Sequence, residues 1–451
     1  MHVSAAITDA SLGAELPAWS VLPFAALLLA IAVLPLATPR WWQEHRHQAL
    51  VCALLAVPFA AGLLIFRPSE GGHALLETVR DYASFIVFLA SLYVISGGIH
   101  VKGSLAGSPL SNTTLLGIGA LLANVIGTTG ASMVLIRPLL RANESRHRKT
   151  HLVVFFIFVV SNCGGLLTPL GDPPLFLGFL RGVPFEWTLS LWQPWLLVNG
   201  MLLLVFQLVD GWVLDREELA RPGSQLERVL RHEPLTIEGR KNVACLAGVI
   251  LVIFGKAKGF GSASGQWPFG VQEVLMLVLA AASWKLTRGS IRAANRFTFG
   301  PIAEVAVLFA GIFVTMVAPL QILGARGGQL GITHPMQYFW AAGSLSSFLD
   351  NAPTYLTFAA AACGQQGIDV SGPRYLGELL RTPDGPSLLA AISCGAVFMG
   401  ANTYIGNGPN FMVRSIAESG GVRMPSFFGY MAWSGAVLLP IFAAVALFFF
   451  R

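Results

Sequence analysis

Two stretches of the sequence, TPLGDPP at residues 168–174 and TYIGNGP at residues 403–409, align without a gap, and each interrupts an apolar segment. They share Thr, Gly and Pro at matching places, and Asp172 stands where the other stretch has Asn407. Gly and Pro break helices, and irregular backbone at membrane depth is tolerated only against protein or water. The repeat therefore predicts two broken membrane helices, one in each half of the chain.

The composition is that of a membrane protein. Of 451 residues, 54% are hydrophobic and 12% are charged, whereas soluble domains contain roughly 25% charged residues. So few charges cannot cover a water-soluble surface, which favours one membrane-embedded body over several soluble domains. The excess of 29 Lys and Arg over 23 Asp and Glu fits basic cytoplasmic loops. No nucleic-acid partner is expected.

Apolar runs of about 20 residues, long enough to cross a bilayer, number about ten. They lie near 18–37, 48–66, 83–101, 151–183, 187–209, 242–256, 270–286, 298–324, 386–418 and 428–450. Two further apolar stretches, at 105–141 and 336–362, carry a polar cluster near the middle and are predicted to be re-entrant hairpins. The predicted fold is thus an all-α polytopic membrane protein with about ten transmembrane helices and two re-entrant hairpins.

These elements divide the chain into five parts. Residues 1–82 form a tail and scaffold helices, 83–209 a first repeat (hairpin 105–141, broken helix 151–183), 210–241 a charged cytoplasmic linker, 242–297 further scaffold helices, and 298–451 a second repeat (hairpin 336–362, broken helix 386–418). The 141–150 loop is strongly basic, whereas its counterpart at 363–385 is not. By the positive-inside rule the two repeats are therefore inverted relative to each other.

Inverted repeats with broken helices are typical of secondary transporters, whose substrate site lies where the helices break. A cation that enters such a site must exchange its hydration water for oxygen ligands, which hairpin tips and helix breaks supply. The candidate ligands are Asn124, Thr128, Thr129, Thr168 and Asp172 in the first half, and Asp350, Asn351, Thr354, Asn402, Thr403 and Asn407 in the second. Na⁺ is expected at Asp350, Asn351, Asn124 and Asp172, and no cofactor is expected beyond the transported ions.

The acids carry the expected exchange chemistry. An unpaired acid in the membrane is costly, so Asp350 in its apolar hairpin is the first candidate to bind Na⁺ and a proton in alternation. Competition of two ions for one carboxylate produces antiport. For Asp172 the alternative is helix capping, because an apolar helix with prolines in its first turn follows it. Glu304, early in its span, is interpreted as an interfacial residue or as a proton sensor.

Four stretches carry a resemblance to a known family. LDNAPT at 349–354, SNCGGLLTPLGDPP at 161–174, GANTYIGNGPNF at 400–411 and IAEVAVLFAGIF at 302–313 resemble the ion transporter superfamily. The pattern is most similar to its sodium/proton antiporter branch, which is related to citrate, arsenite and dicarboxylate transporters. The resemblance implies an elevator-type carrier of the bacterial inner membrane, usually a homodimer, whose partners are small inorganic cations and the lipid bilayer.

Exchange of Na⁺ or Li⁺ for H⁺ is the leading functional hypothesis. The alternatives are uptake of a di- or tricarboxylate such as citrate coupled to Na⁺ or H⁺, and efflux of arsenite or another oxyanion. An anion calls for a basic residue at the hairpin tips, and neither tip cluster contains one, which favours the cation. The chain is not expected to be an enzyme. The non-transport alternative is an intramembrane aspartyl enzyme in which Asp172 and Asp350 share a proton.

Overall fold

The computed structural model describes residues 12–104, 107–220, 233–261 and 267–451. Helices dominate this part of the chain, and eight helical segments in it are long and apolar enough to cross a membrane. The prediction of an all-α polytopic membrane protein is therefore confirmed. The predictions for residues 1–11, and for residues 221–232 of the linker, lie outside the described residues.

The α-helices are, in chain order, α1 (Leu12–Glu15), α2 (Leu22–Ala37), α3 (Pro39–Trp42), α4 (His45–Phe66), α5 (Pro68–Ser96), α6 (Pro109–Ala142), α7 (Thr150–Val159), α8 (Pro173–Leu180), α9 (Trp192–Ala220), α10 (Arg240–Lys258), α11 (Val271–Leu286), α12 (Gly289–Ala294), α13 (Gly300–Arg326), α14 (Pro335–Ser346), α15 (Asn351–Gln365), α16 (Tyr375–Leu379), α17 (Gly385–Met399), α18 (Gly408–Ser419) and α19 (Phe427–Phe449). Short 3-10 helices lie at Ala18–Val21, Cys163–Leu166, Phe185–Leu191, Gly327–Leu330 and Gly400–Asn402. The strands β1 (His100–Ser104) and β2 (Glu233–Glu238) pair antiparallel.

Two helices are longer than the apolar runs that predict them, and a strand lies in the predicted linker. Helix α5 begins at Pro68, but the apolar run that predicts it begins only near residue 83, because the first half of the helix carries polar residues such as Glu77 and Asp81. Helix α9 continues to Ala220, into the segment 210–241. In the same segment β2 pairs with β1, which is a long-range contact that hydropathy does not indicate.

The first predicted hairpin is helix α6, which folds back on itself at Gly127. This residue has φ 76° and ψ 156°, a conformation that favours glycine. The side-chain amides of Asn112 and Asn143 exchange two hydrogen bonds, of 3.0 and 2.8 Å. A straight helix would hold these residues about 47 Å apart. The two arms of α6 are therefore antiparallel, with their tip at Gly127.

The second predicted hairpin consists of α14 and α15, joined by a short tip at residues 347–350. At its open end the Tyr338 hydroxyl donates to Gln365 Oε1 at 3.1 Å, which ties the start of α14 to the end of α15. At its tip Asp350 caps α15 by accepting a hydrogen bond from Ala352 N at 3.0 Å. A side chain at the tip thus fixes the point where the chain re-enters the helix.

The two broken helices, α7–α8 and α17–α18, run in opposite directions. Thr150, where α7 begins, donates through Oγ1 to Arg423 O beyond the end of α18, at 2.8 Å. At the other end, Arg181 O beyond α8 accepts from Leu376 N and Gly377 N, shortly before α17 begins, at 3.2 and 3.4 Å. The start of each broken helix therefore lies beside the end of the other, which is the geometry of an inverted pair.

The helices form two groups. The hairpin bundle comprises α6–α9 and α14–α19, which contain both hairpins and both broken helices. The flanking bundle comprises α1–α5 and α10–α13. The bundles meet where α13 packs on α15 and where α5 packs on α6 and α8. This arrangement encloses the helix breaks between the hairpin tips.

The inversion generates a prediction about sidedness. Cysteines placed singly at Ser145 and Gly372, with the five buried native cysteines replaced, should react with an impermeant thiol reagent from opposite faces of the membrane. Ser145 lies in the basic loop that faces the cytoplasm by the positive-inside rule. At Gly372 a Cβ would make only an ordinary contact, with Asp369 O at 3.9 Å. Labelling of both positions from the same face would contradict the topology.

Candidate cation-binding site

The two helix breaks are built in the same way around a threonine. Thr168 Oγ1 donates to Asn124 O at the tip of the first hairpin, and Thr403 Oγ1 donates to Ser347 O at the tip of the second, both at 2.5 Å. Each hydroxyl also accepts a hydrogen bond of 3.2 Å from the backbone N–H two residues further on. Each break thus holds its own hairpin tip, and the threonine satisfies backbone groups that the break leaves open.

Asp172 lies where the first break meets helix α8, and its carboxylate joins both halves of the protein. Oδ1 accepts from Thr128 Oγ1 at 3.1 Å and from Asn407 Nδ2 at 3.3 Å, and Oδ2 accepts from Asn351 Nδ2 at 2.7 Å. These partners come from the first hairpin, the second break and the second hairpin. Asp172 itself is 1% exposed. One buried carboxylate is therefore the point where both hairpins and both breaks converge.

Further amides link the two breaks around this carboxylate. Asn407 Nδ2 also contacts Asn162 Oδ1 at 3.1 Å, and Asn162 Nδ2 donates to Asn410 Oδ1 at 2.6 Å. Asn410 in turn donates to the Gly400 and Thr403 carbonyls of its own break, at 2.8 and 2.9 Å. The resulting network is buried and consists of neutral side chains, so it positions Asp172 without neutralising its charge.

Asp172 does not cap α8 through its side chain, whereas Asp350 caps α15 in the other half. Asp172 occupies the N-cap position of α8, but its side chain makes no capping hydrogen bond because it faces the partners just described. The half-buried Asp350 caps α15, and the Thr354 hydroxyl donates to the Asp350 carbonyl at 3.0 Å. Asp350 thus stands beside Asn351, one residue from the Asp172 contact, without bonding the Asp172 carboxylate.

Several other predicted residues hold the tips and breaks in place. The Asn124 amide donates to Gly164 O at 2.7 Å and accepts from Leu167 N at 2.7 Å, so it fastens the first tip to its break. Asn402 Nδ2 donates to Ser347 Oγ at 2.9 Å in the second half. Thr129 is half-buried next to Thr128. These side chains frame the site, whereas Thr128, Asn351 and Asn407 touch the Asp172 carboxylate.

Glu304 lies outside this constellation. Its Oε1 accepts from Gln48 Nε2 at 2.9 Å, which joins α13 to α4 within the flanking bundle. Two serines that the sequence did not single out, Ser346 and Ser347, contribute instead. Ser346 Oγ donates to Asn351 Oδ1 at 2.8 Å and thereby orients the Asn351 amide toward Asp172. The signal in the sequence is the pair Ser346–Ser347 shortly before LDNAPT, but the role of these serines depends on how the hairpin folds.

The electrostatics of the site suit a small cation. Within the described residues, neither Asp172 nor Asp350 forms an ion pair with a basic side chain. An ionised carboxylate buried without a counter-charge is unfavourable, so it favours either a proton or a bound cation. Carboxylate, hydroxyl and amide oxygens are the ligands that a hard monovalent cation requires.

Gly400 generates a test of the site geometry, because a Cβ there would overlap the Asn351 amide. Gly400→Ala is expected to displace Asn351 from Asp172 and to destabilise the protein by about 1–3 kcal/mol, the usual range for overpacking. Gly408→Ala is the matched control, since a Cβ at Gly408 would meet no atom within 4 Å. Unfolding of the purified protein in detergent measures both variants, and equal stability would contradict the predicted overlap.

A comparison with known proteins places this architecture in a family. A family model described as "Putative citrate transport" matches residues 13–450. No curated protein matches the chain. Since the family match covers nearly the whole chain, and since the fold is that of a polytopic helical membrane protein, the chain belongs to this family of membrane transporters.

Proposed function

We propose that the protein exchanges Na⁺ or Li⁺ for H⁺ across the bacterial inner membrane. The observation that carries the proposal is the buried Asp172 carboxylate, whose partners Thr128, Asn351 and Asn407 are all uncharged. A single carboxylate offsets one monovalent cation or one proton. Because both ions need the same oxygens, binding of one expels the other, and this competition couples their movements.

The arrangement also supports a mode of movement. Both hairpins and both broken helices belong to the hairpin bundle, so the Asp172 site can move as one unit against the flanking bundle. In an elevator-type mechanism this movement exposes the site to each side of the membrane in turn. The hairpin bundle moves through the membrane most readily when Na⁺ or H⁺ neutralises Asp172. Without either ion, an uncompensated charge would have to pass through a region of low dielectric. We further propose that two copies associate through the flanking bundle.

Uptake of citrate is the second candidate, and the family description favours it. A tricarboxylate bears negative charge, as do Asp172 and Asp350, and no described basic side chain pairs with either acid. Citrate would therefore have to bind together with cations that offset both sets of charges. The family description supports this candidate, whereas the charge of the site supports cation exchange.

An aspartyl enzyme is not favoured by the geometry. Its two carboxylates would share a proton directly. Here the Asp172 oxygens accept from Thr128, Asn351 and Asn407, while Asp350 Oδ1 accepts from Ala352 N. The acids therefore have separate partners, and the same carboxylates are better explained as parts of an ion site.

Replacement of the central acid tests the proposal. Asp172→Asn should abolish Na⁺-induced pH changes in proteoliposomes that contain a pH-sensitive dye, because the amide keeps the shape of the side chain but does not titrate. Asp350→Asn should weaken exchange without abolishing it, since Asn caps a helix about as well as Asp. Asp215→Asn is the control, because Asp215 is exposed on α9. Full exchange by the Asp172→Asn variant would refute the assignment.

The same assay separates the two candidate functions. Na⁺, Li⁺, K⁺, citrate and succinate are added in turn to the same proteoliposomes. Cation exchange gives a pH change with Na⁺ or Li⁺ alone, whereas citrate uptake gives none until citrate is present. A response that requires citrate would replace the first proposal with the second.

Competition for one carboxylate also predicts a pH dependence. The apparent affinity for Na⁺ should weaken as pH falls, by about tenfold per pH unit in the range where one proton competes with one cation. Binding of Na⁺ to the purified protein, measured by calorimetry between acid and alkaline pH, provides the test. An affinity that stays constant over this range would show that protons and Na⁺ do not share the site.

A further inference from the structure

Three arginines lie near the end of α5 and the start of β1, outside the candidate cation site. Arg137 and Arg141 lie on the second arm of α6, and Arg296 lies in the loop between α12 and α13. Arg141 donates to Val101 O, and Asn295, the neighbour of Arg296 in the chain, donates to Ile99 O, so both arginines lie beside residues 99–101. Arg137 lies one helical turn before Arg141 on the same arm. None of the three forms an ion pair within the described ranges of the chain. Three like charges are thus held together without an acid.

Two of these guanidinium groups have donors without a partner. Arg137 Nη1 and Arg141 Nε are buried and make no hydrogen bond. Arg141 Nη2 donates to Val101 O in β1 at 2.5 Å, which fixes this side chain in place. A buried donor that has left water without finding an acceptor is unfavourable. The donors Arg137 Nη1 and Arg141 Nε therefore lack an acceptor. The most favourable acceptor for several guanidinium donors is an anion.

The end of α5 does not supply that acceptor. Arg292 Nη1 donates a hydrogen bond to Val94 O at 2.8 Å. The Asn295 amide donates to Gly97 O and Ile99 O at 3.0 and 2.7 Å, so these carbonyls already have partners. The negative end of a helix dipole offsets only a fraction of one charge. The neighbouring Arg292 is itself held structurally, with its guanidinium 4.6 Å from the ring centre of Trp284. The helix end is therefore capped, and the charges of the three arginines persist.

Arg296 is the most solvent-accessible of the three arginines. It is exposed, and it has φ 46°, a left-handed conformation that is uncommon for a residue other than glycine. Hydrogen bonds from Arg296 N to Ala293 O and from Phe297 N to Arg292 O hold the loop in this conformation. The loop thus presents Arg296 at a position that a ligand can reach, beside the segment 99–101 that Arg141 also contacts.

We propose that a phosphate-bearing anion binds among Arg137, Arg141 and Arg296. Phosphate oxygens accept several guanidinium hydrogen bonds at once, and the group can come from an anionic phospholipid or from free phosphate. Like the 141–150 loop, the segment 285–296 is basic, with Lys285, Arg288, Arg292 and Arg296. The positive-inside rule assigns both to the cytoplasm, where anionic headgroups are found. The anion joins α6 of the hairpin bundle to the flanking bundle and stabilises their contact.

Binding of defined probes to the full-length purified protein tests this site. Phosphatidylglycerol, phosphatidylcholine and inorganic phosphate are each titrated in detergent, with native mass spectrometry and the melting temperature as readouts. Phosphatidylglycerol or phosphate should bind and raise the melting temperature, whereas phosphatidylcholine should not. Arg137→Gln should weaken binding about tenfold, as expected for loss of a charged hydrogen-bond donor.

Two further variants keep the test decisive. Arg296→Gln changes an exposed side chain, so it tests the site even when Arg137→Gln does not fold. Arg240→Gln is the control, because Arg240 is an exposed arginine at the start of α10. Binding of phosphatidylglycerol alone identifies a lipid headgroup as the ligand, and binding of inorganic phosphate identifies the free anion. Equal loss of binding in Arg296→Gln and Arg240→Gln, or the absence of binding by both probes, would overturn the proposal.

Discussion

The Asp172 carboxylate is the constraint on which the rest of the hairpin bundle depends. Burying an ionised group costs several kcal/mol unless it is well hydrogen-bonded or paired. Its three partners, Thr128, Asn351 and Asn407, lie on three different elements, so all of them have to converge for the carboxylate to be satisfied. Three features of the backbone bring these partners together: the antiparallel arms of α6, the α14–α15 hairpin and the opposed broken helices.

The repeat explains why a single acid suffices. Asp172 and Asn407 occupy equivalent positions in TPLGDPP and TYIGNGP, and in the folded chain they contact each other at 3.3 Å. Two acids at this distance would repel each other, and two amides would carry no titratable charge. One acid and one amide place a single carboxylate, which can bind a proton or a cation, where the two halves meet. The Asn407 amide donates a hydrogen bond to it. The difference between the repeats at this position thus matches what the chemistry requires.

The sequence predicted the helix breaks and hairpins of this site better than the contacts between the two halves of the chain. Matching Thr168 with Thr403 identified both breaks, and the structure adds that each threonine holds its own hairpin tip. The sequence could not indicate that Asn351 crosses to Asp172, because that contact depends on how the two halves pack. It also ranked Asp350 above Asp172, since an apolar context does not show which acid caps a helix. The start of α5 escaped prediction because its polar residues lower the hydropathy of the segment, and two of them, Glu77 and Asp81, pair with Arg181 of the other bundle, which hydropathy does not indicate.

Helix α8 connects the candidate site to the boundary between the bundles. It begins directly after Asp172 and ends directly before Arg181, about 12 Å away for eight residues. Arg181 pairs with Asp81 and Glu77 of α5, in the flanking bundle. The side chains of Arg181 and Asp81 are only 12% and 23% exposed, so separating this pair leaves two largely buried charges that water has to hydrate. In the proposed elevator movement these pairs have to separate, so the movement requires water to reach Arg181 on the side that faces α5. A short rigid helix thereby joins the carboxylate to an ion-paired contact between the two bundles.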